Sequence, residues 1–267
     1  MIQTRATDPL SLASVGVART WTAAASRPTT LAQRFADLLL LRPPAASEAA
    51  VVRLVRDGMS ARDVCLDVLT PALWEVGSRW QRGACTIAQE HLATAVVGSI
   101  MTRLTHELGM TPPVRGRVVL ACTEGEQHEI GLRMLRDFLT GDGWEVFYVG
   151  AETPSDSLEL LVRRFHPDVV GLSTTLPNRV PVAKATIAAL RSRPVGRPFV
   201  LVGGAAYAGD AELARSIGGD AFAATAGEAS RLLRGEFGAR DASLALPRRA
   251  GWAVVGPDLL LAAGDTP

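Results

Sequence analysis

The spacing of apolar residues changes once along this chain. From residue 30 to 109 they recur every three to four positions; beyond residue 116 short apolar runs alternate with helical stretches. In the first part Leu31–Leu41 reads as a helix stopped by Pro43-Pro44. Ser47 is placed to cap a second helix, Glu48–Arg56, and Ser60 with Asp63 to open a third over Val64–Leu69. Pro71 starts or kinks a helix that runs to Arg82, and the longest pattern follows from Thr86 to Leu108. Helices of this length with short loops make an antiparallel bundle.

The stretch from Gly109 to Gly116 holds two prolines and reads as a linker. After it, strands are predicted at 117–122, 145–149, 169–173, 199–202 and 221–224. Helices are predicted at 130–140, 155–165, 179–192, 210–216 and 228–234. Such alternation implies an α/β fold with a doubly wound, parallel, five-stranded Rossmann-like sheet. The expected organisation is therefore an N-terminal segment, 1–29, weakly ordered or with one helix. A helical bundle over 30–109 and a Rossmann-like domain over 117–235 follow. A tail, 236–267, carries a short hairpin around Gly256-Pro257.

Composition changes this picture little. Of the 267 residues 48% are hydrophobic, enough for two cores. A net charge of +1 without a basic block gives no reason to expect unaided binding to nucleic acid or a membrane. Cys65, Cys85 and Cys122 lie on apolar segments at no metal-binding spacing and read as buried thiols of a reducing compartment. Without a signal peptide or a membrane-length apolar run, the chain is expected in the cytoplasm.

The chemistry concentrates in the loop after the first strand, Cys122-Thr-Glu-Gly-Glu-Gln-His-Glu-Ile-Gly131. In open parallel sheets, ligands are met at the carboxyl ends of strands, and His128 sits there. Glu126, two residues earlier, can hold one ring nitrogen while the other faces outward, the arrangement that orients a metal-binding His. Ser173 and Thr175 follow the third strand, and Gly203-Gly204 ends the fourth, where glycines permit close backbone approach.

Glu126-x-His128-x-x-Gly131 resembles the Asp/Glu-x-His-x-x-Gly loop of cobalamin-binding domains, and Ser173-Thr-Thr175 and Gly203-Gly204 match that family in order and spacing. The resemblance implies that His128 is the lower cobalt ligand, with Glu126 orienting it. Ser173 then faces the displaced dimethylbenzimidazole, and the two glycines admit the nucleotide tail. In the helical half, Trp80, nine residues, then Glu90-His91 is similar to the signature of adenosylcobalamin photoreceptors of the CarH type. That implies that Trp80 and Ile87 cover the upper corrin face beside the adenosyl group, with Glu90 and His91 supplying polar contacts.

The resemblance covers about residues 46–235 and departs in two places. Fewer than thirty residues precede the bundle and none reads as a helix-turn-helix, so direct DNA binding is not expected. The His that directly follows the Trp in those repressors is Gln81 here, so after photolysis the upper site would fall to His91, to water or to another ligand. The expected function is a cobalamin-binding light sensor, regulatory rather than enzymatic. Photolysis of its adenosyl group would change conformation, self-association or binding to a regulatory partner. A stand-alone form also resembles the photocobilins, implying a non-covalent bilin such as biliverdin beside the cobalamin. The alternatives are a corrinoid methyl carrier of a methyltransferase system, and a cobalamin-binding antirepressor or adapter. Leu38–Leu41 cannot all face one core on a single helix, so an exposed remainder is expected to meet a second chain or the N-terminal segment.

Overall fold

The computed structural model describes residues 30–109, 115–192, 197–207 and 210–238. The N-terminal segment 1–29 with its one expected helix, most of the linker and the tail hairpin lie outside the described residues.

The helical half consists of α1 (Thr30–Leu41), α2 (Pro44–Arg56), α3 (Ala61–Asp63), α4 (Thr70–Gln81) and α5 (Ile87–Leu108). α2 begins at Pro44 rather than after Ser47. Proline suits a first helical position, because its missing N–H would have had no partner there. Ser47 is thereby buried within α2, its hydroxyl without a partner, and is not a cap. Ser60 does cap α3: its Oγ accepts the Asp63 N–H at 3.1 Å and donates to the Asp63 carboxylate at 2.6 Å.

Residues Val64–Leu69, expected as an ordinary helix, form a π-helical turn, with the Thr70 N–H donating to the Cys65 carbonyl. The cause is Pro71, which lacks an N–H and crowds the carbonyl four residues back. One extra residue in the turn gives it room. α5 opens with a reciprocal cap between Thr86 and Gln89.

The α/β half alternates β1 (Gly116–Cys122), α6 (Ile130–Gly141), β2 (Trp144–Gly150), α7 (Ser155–Phe165), β3 (Val169–Ser173), α8 (Val180–Arg191), β4 (Phe199–Gly203), α9 (Ala211–Ser216), β5 (Ala221–Ala223) and α10 (Ala226–Glu236). All strand pairs are parallel, in the order β2-β1-β3-β4-β5. The chain turns to one side of β1 and then to the other, so the switch point lies at the carboxyl ends of β1 and β3. Ligands bind such sheets there. One sheet face packs Val119, Val170 and Val200 against Leu158, Val162 and Ile187 of α7 and α8. The other packs Val118, Leu120 and Val169 against α6 and α10 through Leu135, Leu139 and Leu233.

The two halves share a core. Met134 and Phe138 of α6 are buried among Val64, Val68, Leu69, Val97 and Ile100 of the helices. α5 and α6 lie side by side and run in the same direction. A Cβ on Gly98 would lie 3.2 Å from Nη1 of Arg133, Thr105 donates to Asp137 at 3.3 Å, and the Leu108 carbonyl abuts Gly141. The eleven residues of α5 before Gly98 therefore project past the start of α6, over the rim that carries His128, by about 16 Å.

At the other end of α6 the halves are clamped by charge. The nearly buried carboxylate of Asp142 accepts from Arg62 of α3 (3.0 Å) and from Arg234 (2.8 Å) and Ser230 (2.5 Å) of α10. The Arg62 guanidinium also lies 4.2 Å from the centroid of the Phe138 ring. On α1, Leu39 is buried and Leu38 and Leu40 are partly buried against the helical core, while Leu41 stays exposed.

Candidate functional site

β1 delivers its loop to the switch point because its last five residues are fully buried and cannot continue into solvent. The loop folds on itself through Glu126 N–H to the Thr123 carbonyl, at 2.9 Å, and its glycine, Gly125, takes a left-handed φ of +77°. Glu126 turns inward and is completely buried. Its carboxylate takes four hydrogen bonds. Oε1 accepts the backbone N–H of His128 (3.0 Å) and pairs with the His128 ring Nδ1 (2.5 Å). Oε2 accepts the backbone N–H groups of Thr175 (2.7 Å) and Leu176 (2.8 Å) in the loop after β3.

Burial alone would raise the Glu126 pKa. The bonds from the His128 ring and from the three backbone N–H groups outweigh it and lower the carboxyl to about 2. The carboxylate is therefore ionised and holds the proton of the imidazole on Nδ1. His128 in turn is shifted upward, first by its hydrogen bond to Glu126, against the opposing effect of burial, and further by the charges of Glu126 and of Glu90. Nε2 has no hydrogen-bond partner among the described residues and the side chain is 57% exposed. In the neutral ring it offers a lone pair outward.

Gly131 opens the first turn of α6 beside this imidazole, and a Cβ placed there would meet open space. On the helical half, Trp80 is the last residue but one of α4 and Ile87 begins α5; they are 44% and 46% exposed, and Leu92 on α5 is 50% exposed. Glu90 is held in place by Thr94 (3.0 Å) and pairs with Nδ1 of the exposed His91 (2.7 Å). Gln81, the residue after Trp80, is exposed. The rim thus carries one outward imidazole, and the helical half carries exposed apolar side chains and a carboxylate held by Thr94. Among the described residues no three His, Cys, Asp or Glu side chains cluster to hold a metal ion. A single oriented imidazole holds a metal only when another molecule supplies the remaining donors, as a corrin ring does. The residues present fit that group.

Ser173 is partly exposed at the end of β3. Thr175 contributes its backbone N–H to Glu126, a role its side chain did not suggest. Gly203 and Gly204 both turn their open side onto neighbouring backbone, Gly203 towards the Ala223 carbonyl and Gly204, at φ +105°, onto Thr174. Three features were not singled out from sequence: at the rim, the paired buried hydroxyls of Thr123 and Thr174 and the phenol of Tyr207 that donates to Thr174, and at the far end of α6, Arg62 in its clamp. All three join residues distant in sequence, so no local pattern marks them. Of the cysteines, Cys65 and Cys122 are buried and pushed up to about 12, by burial first. Cys85 is partly exposed rather than buried.

A parallel sheet of this order, an imidazole held by a buried carboxylate at its switch point and a helical cap docked over that rim define a corrinoid-binding module. The chain belongs to the B12-binding domain proteins. Residues 116–234 and residues 32–105 match two family models, each described as a B12 binding domain. The chain is 38% identical over 141 residues to the HTH-type transcriptional repressor CarH of Myxococcus xanthus, a match covering 52% of this chain and 46% of that protein. It is 36% identical over 126 residues to the repressor CarA of the same organism, covering 46% and 42%. The chain thus matches a little under half the length of these relatives. Among solved structures, the monomethylamine corrinoid protein of Methanosarcina barkeri has the same fold, with a TM-score of 0.69 at 18% identity, over 76% of this chain and 96% of that one. No helix among the described residues is long and apolar enough to cross a membrane.

Proposed function

We propose that this chain is a light-responsive regulator that uses adenosylcobalamin. The observation that carries the reading is the overhang of α5. It carries Glu90 past the start of α6, while Trp80, Ile87 and Leu92 stand uncovered on the helical half. His128 holds the cofactor from below through Nε2, and Glu126 keeps the proton on Nδ1. Trp80 and Ile87 supply a broad apolar wall above, and Glu90 and His91 aim polar groups at what lies between, the composition expected of a nucleoside pocket. Ser173 and Gly203-Gly204 line the rim where the nucleotide tail enters. Bound adenosylcobalamin supplies a cobalt–carbon bond that visible light cleaves, chemistry that belongs to the cofactor.

The helical half is the element that responds. Trp80, Ile87 and Leu92 lose or gain packing with the occupant of the upper side, while the Arg62–Asp142 clamp holds the opposite end of the cap. A two-state cap of this kind shifts self-association or a regulatory contact. The likeness to the two repressors supports a regulatory role, and output through a protein partner or a second copy is part of this proposal. A bilin beside the cobalamin, held without a cysteine bond, belongs to the same reading.

The test is an absorbance spectrum of the purified protein with adenosylcobalamin, in the dark and after green light. A dark spectrum of imidazole-ligated adenosylcobalamin that green light converts supports the proposal. An additional red-shifted band after adding biliverdin would report the bilin. A spectrum unchanged by light contradicts the sensor reading. One observation favours a second reading, a corrinoid methyl carrier. The dimethylamine corrinoid protein of Methanosarcina barkeri is 25% identical, and the match covers 85% of that protein and 67% of this chain.

A further inference from the structure

The loop after β4 grips Thr174 at every polar atom it has. The Thr174 N–H donates to the Gly203 carbonyl (2.9 Å), and its own carbonyl accepts from Ala206 N–H (3.1 Å). Gly204 lies so close to the Thr174 backbone that a Cβ there would collide with it. The phenol of Tyr207 donates to Thr174 Oγ1 (3.1 Å), which shares a hydrogen bond with Thr123 Oγ1 (2.7 Å). Tyr207 and Thr174 are fully buried and Thr123 nearly so, and the Tyr207 ring packs edge-on to Phe222 of β5. The two residues after Thr174 are the ones whose N–H groups hold Glu126.

We propose that Tyr207 is a positioning residue for His128. By fixing Thr174 between β1 and β4, it aims the Thr175 and Leu176 N–H groups at Glu126, and Glu126 then sets the imidazole. This rests on the reading of His128 as the cofactor's lower ligand, but the chain of contacts exists without a cofactor. Burial raises the Tyr207 phenol and the bond to Thr174 opposes this; with the net shift upward, the phenol stays protonated and remains a donor. Tyr207→Phe removes that donor and strands nothing, because the hydroxyls of Thr174 and Thr123 still satisfy each other.

The experiment is amide hydrogen exchange on the full apo-chain, followed by a cobalamin spectrum of the same samples. In Tyr207→Phe the Thr175 and Leu176 amides are expected to exchange about tenfold faster, the value of one lost hydrogen bond. Val119 and Leu172, in the neighbouring ladder, should keep their wild-type rates. Thr174→Val should reproduce the effect and Thr174→Ser, which keeps the hydroxyl, should restore wild-type rates. With cobalamin bound, Tyr207→Phe should show a smaller imidazole-ligated fraction than wild type. Unchanged exchange at Thr175 and Leu176 would overturn the proposal. So would equal acceleration throughout the ladder, which marks a packing role only. A wild-type protein whose bound cobalamin lacks imidazole ligation would overturn the metal reading separately, and the apo-chain exchange would still decide the role of Tyr207.

Discussion

Replacing Glu126 with Gln tests the site at its most constrained atom. The carboxylate accepts from four donors, two at each oxygen, and is fully buried. A glutamine offers one oxygen and one NH2. The cheaper placement turns the oxygen to Thr175 and Leu176 and the NH2 to His128. The backbone N–H of His128 then faces another donor and is left unpaired, at about 2 kcal/mol for a buried group. For an ordered region of this size that lowers Tm by about 4–8 °C. The NH2 also donates into ring Nδ1 and drives the imidazole proton onto Nε2, the atom that must offer its lone pair. Cobalamin affinity should fall about 10–100-fold, the usual cost of losing the partner of a metal-bound His.

The pH dependence follows from the same group. The Glu126 carboxyl is lowered from 4.5 to about 2 in the folded chain. Its contribution is therefore full above pH 4.5 and fades as pH falls towards 2. The stability gap between wild type and Glu126→Gln should be largest between pH 4.5 and 6.5, where Glu126 is ionised and the upward-shifted His128 is charged, and should narrow as pH falls towards 2 and again as pH rises through the His128 titration. Thermal unfolding of the apo-chain at several pH values and titration with cobalamin measure both effects. A variant with the wild-type Tm and an imidazole-ligated spectrum would refute the reasoning.

Five further outcomes are expected. His128→Ala should bind cobalamin more weakly and show a bound spectrum without imidazole ligation. Trp80→Ala should leave apo-protein stability within about 0.5 kcal/mol, as for an exposed side chain, and should reduce discrimination between adenosylcobalamin and methylcobalamin, measured by equilibrium titration. Arg62→Ala should cost about 2 kcal/mol in denaturant unfolding, since it removes a charge-assisted bond to the nearly buried Asp142 and packing on Phe138, while Arg234 still satisfies the carboxylate. Light scattering on the adenosylcobalamin-loaded chain should report a change of mass, or of mass with a regulatory partner, on green illumination. If the illuminated form shows two imidazole ligands, His91→Ala should abolish that spectrum.

Period and punctuation in the sequence were enough for the architecture, because each strand is a short apolar run, fully buried over much of β1, β3 and β4, and each helix ends at a glycine, a proline or a polar cap. The exceptions were set by interactions that span a turn. Pro44 outranked Ser47 as the start of α2, and Pro71 forced a π turn that apolar spacing cannot show. Within the site, Glu126 and His128 were legible because their pairing is local, two residues apart on one loop. Thr123, Thr174 and Tyr207 were not, because three separate strands bring them together. The reach of α5 over the rim was equally hidden: it depends on the register between α5 and α6, which Gly98 and Thr105 fix through tertiary contacts.

The central claim is that the rim holds cobalamin by His128 and reads its upper ligand with the face around Trp80. The most direct measurement is equilibrium binding of adenosylcobalamin and of methylcobalamin to the wild-type chain in the dark. An apolar wall flanked by the fixed Glu90 and His91 predicts at least about tenfold tighter binding of the adenosyl form, the return of roughly 1.4 kcal/mol from packing and hydrogen bonding to the nucleoside. Equal affinities for the two forms would contradict the claim and turn the assignment towards a methyl carrier.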